Sequence, residues 1–276
     1  MYNKRQKFVR VNEVCCYICI LMEFVDTHTH NYDSAYEGEQ DAVIERAVKA
    51  GVTRLIQADV DSRERPGMFE LVERHPGVLF PMLGLYPGSV GASWQEEIDK
   101  MLTYSTRNIV AIGEIGLDYH FGTTYRKEQK DAFYTQLELA AGMNLPVNIH
   151  LRDATEDFLD IIKAASHLGI RGNLHAFSAS KETFRQLCRM GDWYVGIGGV
   201  LTFKNASIAT DIEYIPMDRI LLETDSPYLA PTPLRGTRNE SANIPLIAAK
   251  LAQIKGISIE DVAAATTENA RKLFSI

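Results

Sequence analysis

Two histidines stand two residues apart where the first apolar run of the sequence ends, in Asp26-Thr27-His28-Thr29-His30. Successive side chains of a β-strand point to opposite faces, so in a strand both imidazoles project to the same side. An isolated pair of this kind is more often a surface feature than a metal site. Its position at the carboxyl end of a predicted strand favours a metal site, because two imidazoles on one face there can bind one divalent ion.

Four more side chains that can bind a metal occur at the ends of other short apolar runs. Any one of them alone could be a polar core residue with satisfied hydrogen bonds. A packing role is much harder to assign when five separate strand ends each deliver a histidine or a carboxylate. Three or four imidazoles with two carboxylates can hold two ions and leave space for water, which is typical of catalytic rather than structural sites. The four residues are Glu114, His150, His175 and Asp225.

These residues must be positioned by an alternation of β-rich apolar runs with longer helical stretches. Gly or Pro often flanks the runs, and in 127–143 apolar residues recur at spacings of three and four, as one buried helix face requires. The pattern predicts strands at 24–29, 53–58, 78–84, 109–114, 146–150, 170–175, 193–198 and 219–224. It predicts helices at 39–50, 67–75, 93–104, 127–143, 154–167, 180–190, 242–255 and 259–273, with a short helical turn at 206–213.

Eight strands that alternate with helices indicate an α/β fold with a parallel sheet and right-handed crossovers. Eight such units that close on themselves form a (β/α)8 TIM barrel, and 276 residues fit that length. Two helices follow the last strand, so we expect an extra C-terminal helix. A doubly wound open sheet is the rival, although no Gly-x-Gly-x-x-Gly segment opens the first helix. In a TIM barrel the carboxyl ends of the strands build the active-site face, where all six candidates would meet.

Charge and cysteine usage exclude several classes of protein. Lys and Arg number 29 against 36 Asp and Glu, for a net charge of −7. This balance argues against a protein that coats duplex nucleic acid with a broad basic face, but it allows a local basic pocket. Four cysteines in a chain of this length do not make a disulfide framework. Their usage suits a reducing compartment, and we expect a cytoplasmic protein.

The segment 1–21 is predicted to lie outside the fold, which would then be one barrel domain over 22–276. Basic residues precede an apolar run from Val14 to Met22, as in a signal peptide, but the run is too short to span a bilayer and leads directly into the first strand. We interpret the segment as an extension, since Met22 would be a natural start. A protein that starts at Met22 is expected to fold and to keep its activity, which melting curves and assays of both versions would check. A shortened protein that folds but is inactive would contradict this.

Five motifs, in order along the chain, resemble those of the TatD family of metal-dependent hydrolases, within the amidohydrolase-like barrel superfamily. They are Asp-Thr-His-Thr-His, Gly-Glu-Ile-Gly-Leu-Asp-Tyr, Pro-Val-Asn-Ile-His-Leu-Arg-Asp-Ala, His-Ala-Phe-Ser and Leu-Leu-Glu-Thr-Asp-Ser-Pro-Tyr-Leu-Ala-Pro. The resemblance covers essentially all of 22–276. It implies a TatD-type deoxyribonuclease that hydrolyses nucleic-acid phosphodiesters with divalent metal, and Glu114 as the bridging ligand. The implied metal ligands are His28, His30, Glu114, His150, His175 and Asp225.

The resemblance and the residues together predict hydrolysis by a water that one or two divalent ions activate. Asp225 and Glu114 are the predicted catalytic groups, and Asp225 would orient the water and take its proton. Arg152 shares a strand face with the predicted ligand two residues before it and could bind a substrate phosphate bidentately. A salt bridge with Asp153 or Asp118 is the equally weighted alternative for Arg152. Histidine and carboxylate ligands permit Mg, Mn, Zn or Fe.

Two other functions remain open from the sequence. The same site could hydrolyse an amide, a lactone or an aminoacyl ester, since activated water serves both kinds of bond. A non-catalytic barrel that binds a partner is the second, although such a protein should have lost ligands. The predicted partner is a nucleic-acid substrate, DNA or RNA, with no membrane and no obligate protein partner.

Two segments depart from the family motifs. The family commonly has Gly-x-His-Pro after the third strand, where this chain has Gly84-Leu85-Tyr86-Pro87. A tyrosine keeps a hydrogen-bonding group but cannot supply a neutral imidazole, so substrate handling there is expected to differ. The family's Arg-Gly-Lys-Arg-Asn-Glu-Pro becomes Arg-Gly-Thr-Arg-Asn-Glu-Ser at 235–241, which removes one possible phosphate contact. Neither departure changes a predicted ligand.

Overall fold

The computed structural model describes residues 22–276, so the predictions for 1–21 lie outside the described residues. The strands in this range are β1 (Phe24–Thr29), β2 (Val52–Gln57), β3 (Leu79–Leu83), β4 (Ala111–Asp118), β5 (Val147–Arg152), β6 (Arg171–Leu174), β7 (Asp192–Ile197) and β8 (Ile220–Leu222). The helices in it are α1 (Gln40–Lys49), α2 (Arg65–Arg74), α3 (Trp94–Leu102), α4 (Arg126–Met143), α5 (Thr155–Ala164), α6 (Lys181–Leu187), α7 (Ile208–Ile212), α8 (Ile244–Lys255) and α9 (Ile259–Phe274).

The eight strands form one parallel sheet in chain order, from β1 to β8. The sheet curls until its two edges meet, because Thr29 and Ser226 form a parallel bridge and the amide of Asp225 donates to the carbonyl of His28 at 2.9 Å. Helices lie between successive strands, and both α8 and α9 follow β8. This architecture confirms the (β/α)8 TIM barrel and excludes the open sheet.

Side chains of the strands alternate between two packed layers. Val25 and Ile56 belong to a cluster inside the barrel, whereas their neighbours Phe24 and Leu55 pack outward against the helices. The end of α9 joins the inner cluster through Phe274, near the amino ends of the strands. The apolar filling therefore occupies that end of the barrel and leaves the carboxyl end to polar groups.

Local signals set the helix boundaries. The Ser258 hydroxyl accepts a hydrogen bond from the amide of Asp261 at 3.0 Å and begins α9. Asn144 ends α4 and Gly256 ends α8, both in the left-handed conformation that these residue types tolerate. None of the helices described here is both long and apolar enough to cross a bilayer.

The strand ends differ from the prediction near four of the candidate ligands, and the differences at Glu114 and Asp225 change the setting of the ligand. β4 continues to Asp118 instead of ending at Glu114, because its last residues pair with the end of β5. β8 ends at Leu222, and Asp225 lies beyond it with a φ of 54°. Glu114 is thus held within a strand whose residues are all buried, whereas Asp225 lies in a loop.

Candidate metal centre

Four donor atoms meet at the carboxyl end of the barrel. The Nε2 atoms of His28 and His30 lie 3.2 Å apart. Asp225 Oδ1 lies 3.6 Å from each of them. Glu114 Oε2 lies 3.5 Å from the His28 nitrogen and 3.8 Å from the His30 nitrogen. The donor atoms of His28, His30 and Asp225 all lie within 4.8 Å of one another, a spacing that suits one shared ion, and Glu114 Oε2 lies beside this group.

The other oxygen of Glu114 faces a second pair of imidazoles. Oε1 lies 2.9 Å from His150 Nδ1 and 2.8 Å from His175 Nε2, and these two nitrogens are 3.1 Å apart. These are hydrogen-bonding distances, shorter than those of the first group. All six predicted ligands therefore come together, and the Glu114 carboxylate lies between the two groups.

Hydrogen bonds behind the first two histidines determine which nitrogen carries the proton. His28 Nδ1 lies 2.8 Å from Asn148 Oδ1, an atom that can only accept. His30 Nδ1 lies 3.0 Å from the Tyr32 hydroxyl, whose own proton is donated to the carbonyl of Ala58 at 2.5 Å. Both rings therefore hold a proton on Nδ1, and Nε2 is the nitrogen that faces the shared centre.

Two lone pairs that face each other at 3.2 Å repel unless a positive charge lies between them. A shared proton could join the two nitrogens, but it could not also satisfy the oxygens of Glu114 and Asp225. A divalent ion satisfies His28, His30 and Asp225 at once, and imidazole with carboxylate is an ordinary ligand set for such ions. The residues present thus fit a divalent metal.

Burial and mutual charge set the protonation states of the cluster. Burial raises the pKa of Glu114, but the imidazoles of His175 and His28 outweigh it and hold that pKa well below its usual range. Burial and the neighbouring His28 lower the pKa of His175 to about 4. Burial also raises the pKa of Asp225, but a hydrogen bond from His30 and the charge of His28 leave it lowered. Ionised carboxylates and a neutral His175 are the forms that bind metals.

Comparison with known proteins decides the family of the chain. The family model described as TatD related DNase matches residues 25–275. The chain belongs to the TatD family. A Bacillus subtilis (strain 168) relative, named as the uncharacterized metal-dependent hydrolase YabD, is 37% identical over 253 residues, which cover 91% of this chain and 98% of the relative. A Danio rerio relative, provisionally named as the deoxyribonuclease tatdn3, is 35% identical over 266 residues, which cover 91% of this chain and 97% of the relative.

Solved structures share the fold of this TatD-family chain. The TatD homologue YJJV of Escherichia coli K12 superposes with a TM-score of 0.83 at 26% identity, covering 92% of this chain and 98% of the other. A TatD-family hydrolase from Entamoeba histolytica superposes with a TM-score of 0.81 at 23% identity, with the same coverage, and supports the fold alone. Sequence and structure together establish a TatD-family metal-dependent hydrolase.

A cleft of about 660 Å³ opens beside the cluster of this TatD-family hydrolase. Three predicted ligands form part of its wall: His150, His175 and Asp225. Three basic side chains also line it: Arg152, Lys204 and Arg235. The acidic residues of the wall are Glu223, which is fully buried, and Asp225 itself. The cleft is therefore basic apart from the cluster, although the whole chain is acidic.

Arg152 does not form the salt bridge considered as its alternative role. Asp118 Oδ2 lies 2.9 Å from His150 Nε2 instead, and Asp153 Oδ2 lies 3.0 Å from His120 Nδ1. Among residues 22–276 the Arg152 guanidinium forms no ion pair with a carboxylate, although its charge is among the causes that lower the pKa of Asp118.

Sequence reasoning missed the groups that hold the histidines in place. Asn148 lies two residues before His150 on β5, so the same-face rule that placed Arg152 could have found it. Glu223 Oε1 accepts from the amide of Ala176 and lies 3.9 Å from His175 Nδ1, beyond hydrogen-bonding distance, and no spacing in the sequence indicates this proximity. Lys204 and Arg235 lie on loops, where periodicity gives no signal.

Tyr86, which replaces the family's usual histidine, lies beside the cluster. Its hydroxyl donates to Asp118 Oδ2 at 3.3 Å, and its ring packs edge-on against His150 with ring centroids 5.1 Å apart. In this TatD-family chain the tyrosine therefore supports His150, both directly and through Asp118.

Proposed function

We propose that this protein hydrolyses phosphodiester bonds of nucleic acid. The observation that carries the proposal is the cleft beside the cluster. Three basic side chains line it, although the protein as a whole has a net charge of −7. A cleft that concentrates positive charge on an acidic protein attracts an anionic substrate. Membership of a family described as related to DNases, and the provisional name of the Danio rerio relative, support nucleic acid as that substrate.

The proposed metal ligands are His28, His30, Glu114, His150, His175 and Asp225. His28, His30 and Asp225 would form one group of ligands, and Glu114 lies between this group and the pair of His150 and His175. One or two divalent ions, Mg, Mn, Zn or Fe, would be held there. A bound ion supplies positive charge that polarises water and the phosphoryl oxygen.

The residues of the chain have separate tasks in this proposal. Asp225, whose side chain is 17% exposed and lines the cleft, orients the attacking water and takes its proton. Glu114 is buried and holds the two groups of histidines together. The Arg152 guanidinium binds a substrate phosphate, for which its planar fork is suited. His28 and His30 are kept in the ligating tautomer by Asn148 and Tyr32.

A digestion of labelled oligonucleotides tests the function. Single- and double-stranded DNA and RNA, labelled at either end, are incubated with the purified protein and each divalent ion in turn. Lactones, amides and aminoacyl esters are offered under the same conditions. Metal-dependent release of labelled fragments is expected. Turnover of an acyl substrate with all oligonucleotides intact would refute the nuclease and favour a carbonyl hydrolase.

Arg152→Gln is expected to raise the KM for an oligonucleotide about tenfold and to change kcat much less, because the lost contact is to a phosphate away from the reacting bond. The slope of a plot of log KM against log salt concentration should decrease by about one, as expected when one charged contact with a phosphate is lost. The control is Arg189→Gln, since Arg189 is exposed and lies outside the cleft. An unchanged KM in a folded Arg152→Gln protein would contradict the assignment.

A further inference from the structure

Phe121 is an aromatic side chain left almost wholly in water. Its side chain is 85% exposed, more than any other large apolar side chain of the described residues. It lies in the loop between β4, which ends at Asp118, and α4, which begins at Arg126. Single exposed apolar residues are common and need no explanation by themselves. The surroundings of this ring are what distinguish it.

The turn that carries Phe121 is held by hydrogen bonds on both sides of the ring. The amide of Tyr119 donates to the carbonyl of Arg152 at 3.0 Å, and the amide of Gly122 donates to the carbonyl of Tyr119 at 3.1 Å. The Tyr119 hydroxyl donates to Asp157 Oδ2 at 2.6 Å. The exposed ring is thus presented by a fixed turn, so little conformational freedom would be lost when a ligand packs on it.

A guanidinium covers part of the Phe121 ring and connects it to the cleft. Arg152 Cζ lies 5.4 Å from the ring centroid, within the range of a cation–π contact. Arg152 lines the cleft, whereas Phe121 lies just outside its wall. The arginine follows His150 by two residues on β5, about 7 Å along the strand. The Arg152 side chain therefore connects the Phe121 ring to the cleft that the predicted ligands line.

We infer that Phe121 is the stacking platform for one nucleobase of the substrate, with the adjoining phosphate bound by Arg152. The inference rests on the proposed function and adds a subsite to it. Every nucleobase has a π face, and an exposed aromatic ring beside an unpaired cation is the combination that binds a base and its phosphate together. The subsite selects for the presence of a base and not for which base it is.

A binding experiment with abasic oligonucleotides tests the subsite. Asp225→Asn serves as background so that the strand is not cleaved, and an end-labelled strand is titrated by fluorescence anisotropy. A single abasic residue is moved along the strand. At one position the loss of the base should weaken binding about tenfold, and Phe121→Ala should weaken the intact strand by the same factor. With the abasic residue at that position, Phe121→Ala should add no further loss.

Two variants separate stacking from other effects. Phe121→Tyr keeps a ring and should bind like the parent. Tyr214→Ala is the matched control, because Tyr214 is 56% exposed and its ring centroid lies 3.9 Å from Lys181 Nζ. Neither Tyr214 nor Lys181 lines the cleft. This variant should bind like the parent as well.

The outcomes are distinct for the subsite and for the proposed function. If Phe121→Ala weakens every strand equally, or has no effect on any, the stacking platform is refuted. Cleavage by the unmodified protein is measured separately on the intact strand. A protein that cleaves oligonucleotides but is insensitive to Phe121 loses this subsite alone, whereas one that neither binds nor cleaves them loses both.

Discussion

Removal of divalent ions with a chelator is expected to abolish hydrolysis by this protein and to lower its melting temperature by roughly 5 to 10 °C. The activity should return when a divalent ion is restored. The physical reason is that His28 Nε2 and His30 Nε2 face each other 3.2 Å apart beside Asp225, and one shared proton cannot satisfy both nitrogens and the carboxylate. An ion at about 100 times its dissociation constant stabilises the folded state by about 2.7 kcal/mol.

The stability effect can be assigned to the cluster with matched histidine variants. His30→Ala should melt at nearly the same temperature with and without the chelator, because the group of His28, His30 and Asp225 loses one of its three donors. His167→Ala should behave like the parent, since His167 is exposed and its ring contacts the carbonyl of Ala164 at the end of α5. Full activity in the chelated parent protein would show that hydrolysis does not depend on a metal.

The fold was predictable from the sequence because each strand is a short apolar run between turn residues, and eight such runs alternate with helices. The carboxyl ends of parallel strands in a barrel all point the same way, so residues as distant as His28 and His175 could be placed at one level. The position of Glu114 was predicted as a strand end, and the structure shows β4 continuing to Asp118. Only the pairing with β5 reveals this extension, since the sequence of one strand does not contain it.

The groups around the ligands were less accessible to prediction. Asp118 accepts from His150 and from Tyr86, which lies after β3, and this contact depends on the curvature of the sheet. Arg235 reaches the cleft from a loop beyond β8, where no periodicity constrains side chains. Spacing predicts which residues share a strand face, but contacts between loops arise from closure of the whole barrel.

Asp225→Asn is expected to lower kcat by roughly 100-fold or more, the scale typical of losing a general base. The amide keeps the size of the side chain but loses its charge and its ability to accept the proton of the attacking water. Asp225 has a φ of 54°, and asparagine adopts this left-handed region as readily as aspartate, so the backbone should not change. The measurement is kcat at saturating metal and substrate, with thermal melting of the same samples.

A structural role for Asp225 makes a different prediction. Its amide donates to the carbonyl of His28 at 2.9 Å, a contact that closes the barrel between β1 and the loop after β8, and its carbonyl accepts from the amide of Tyr228 at 2.9 Å within that loop. Asparagine preserves both, so a residue that serves only this closure should tolerate the change. Asp218→Asn, at an exposed site before the amino end of β8, is the matched control and should leave kcat unchanged. Near parental turnover in a folded, metal-saturated Asp225→Asn protein would leave the residue with the structural role, whereas a large loss of kcat with an unchanged melting temperature assigns it to proton transfer.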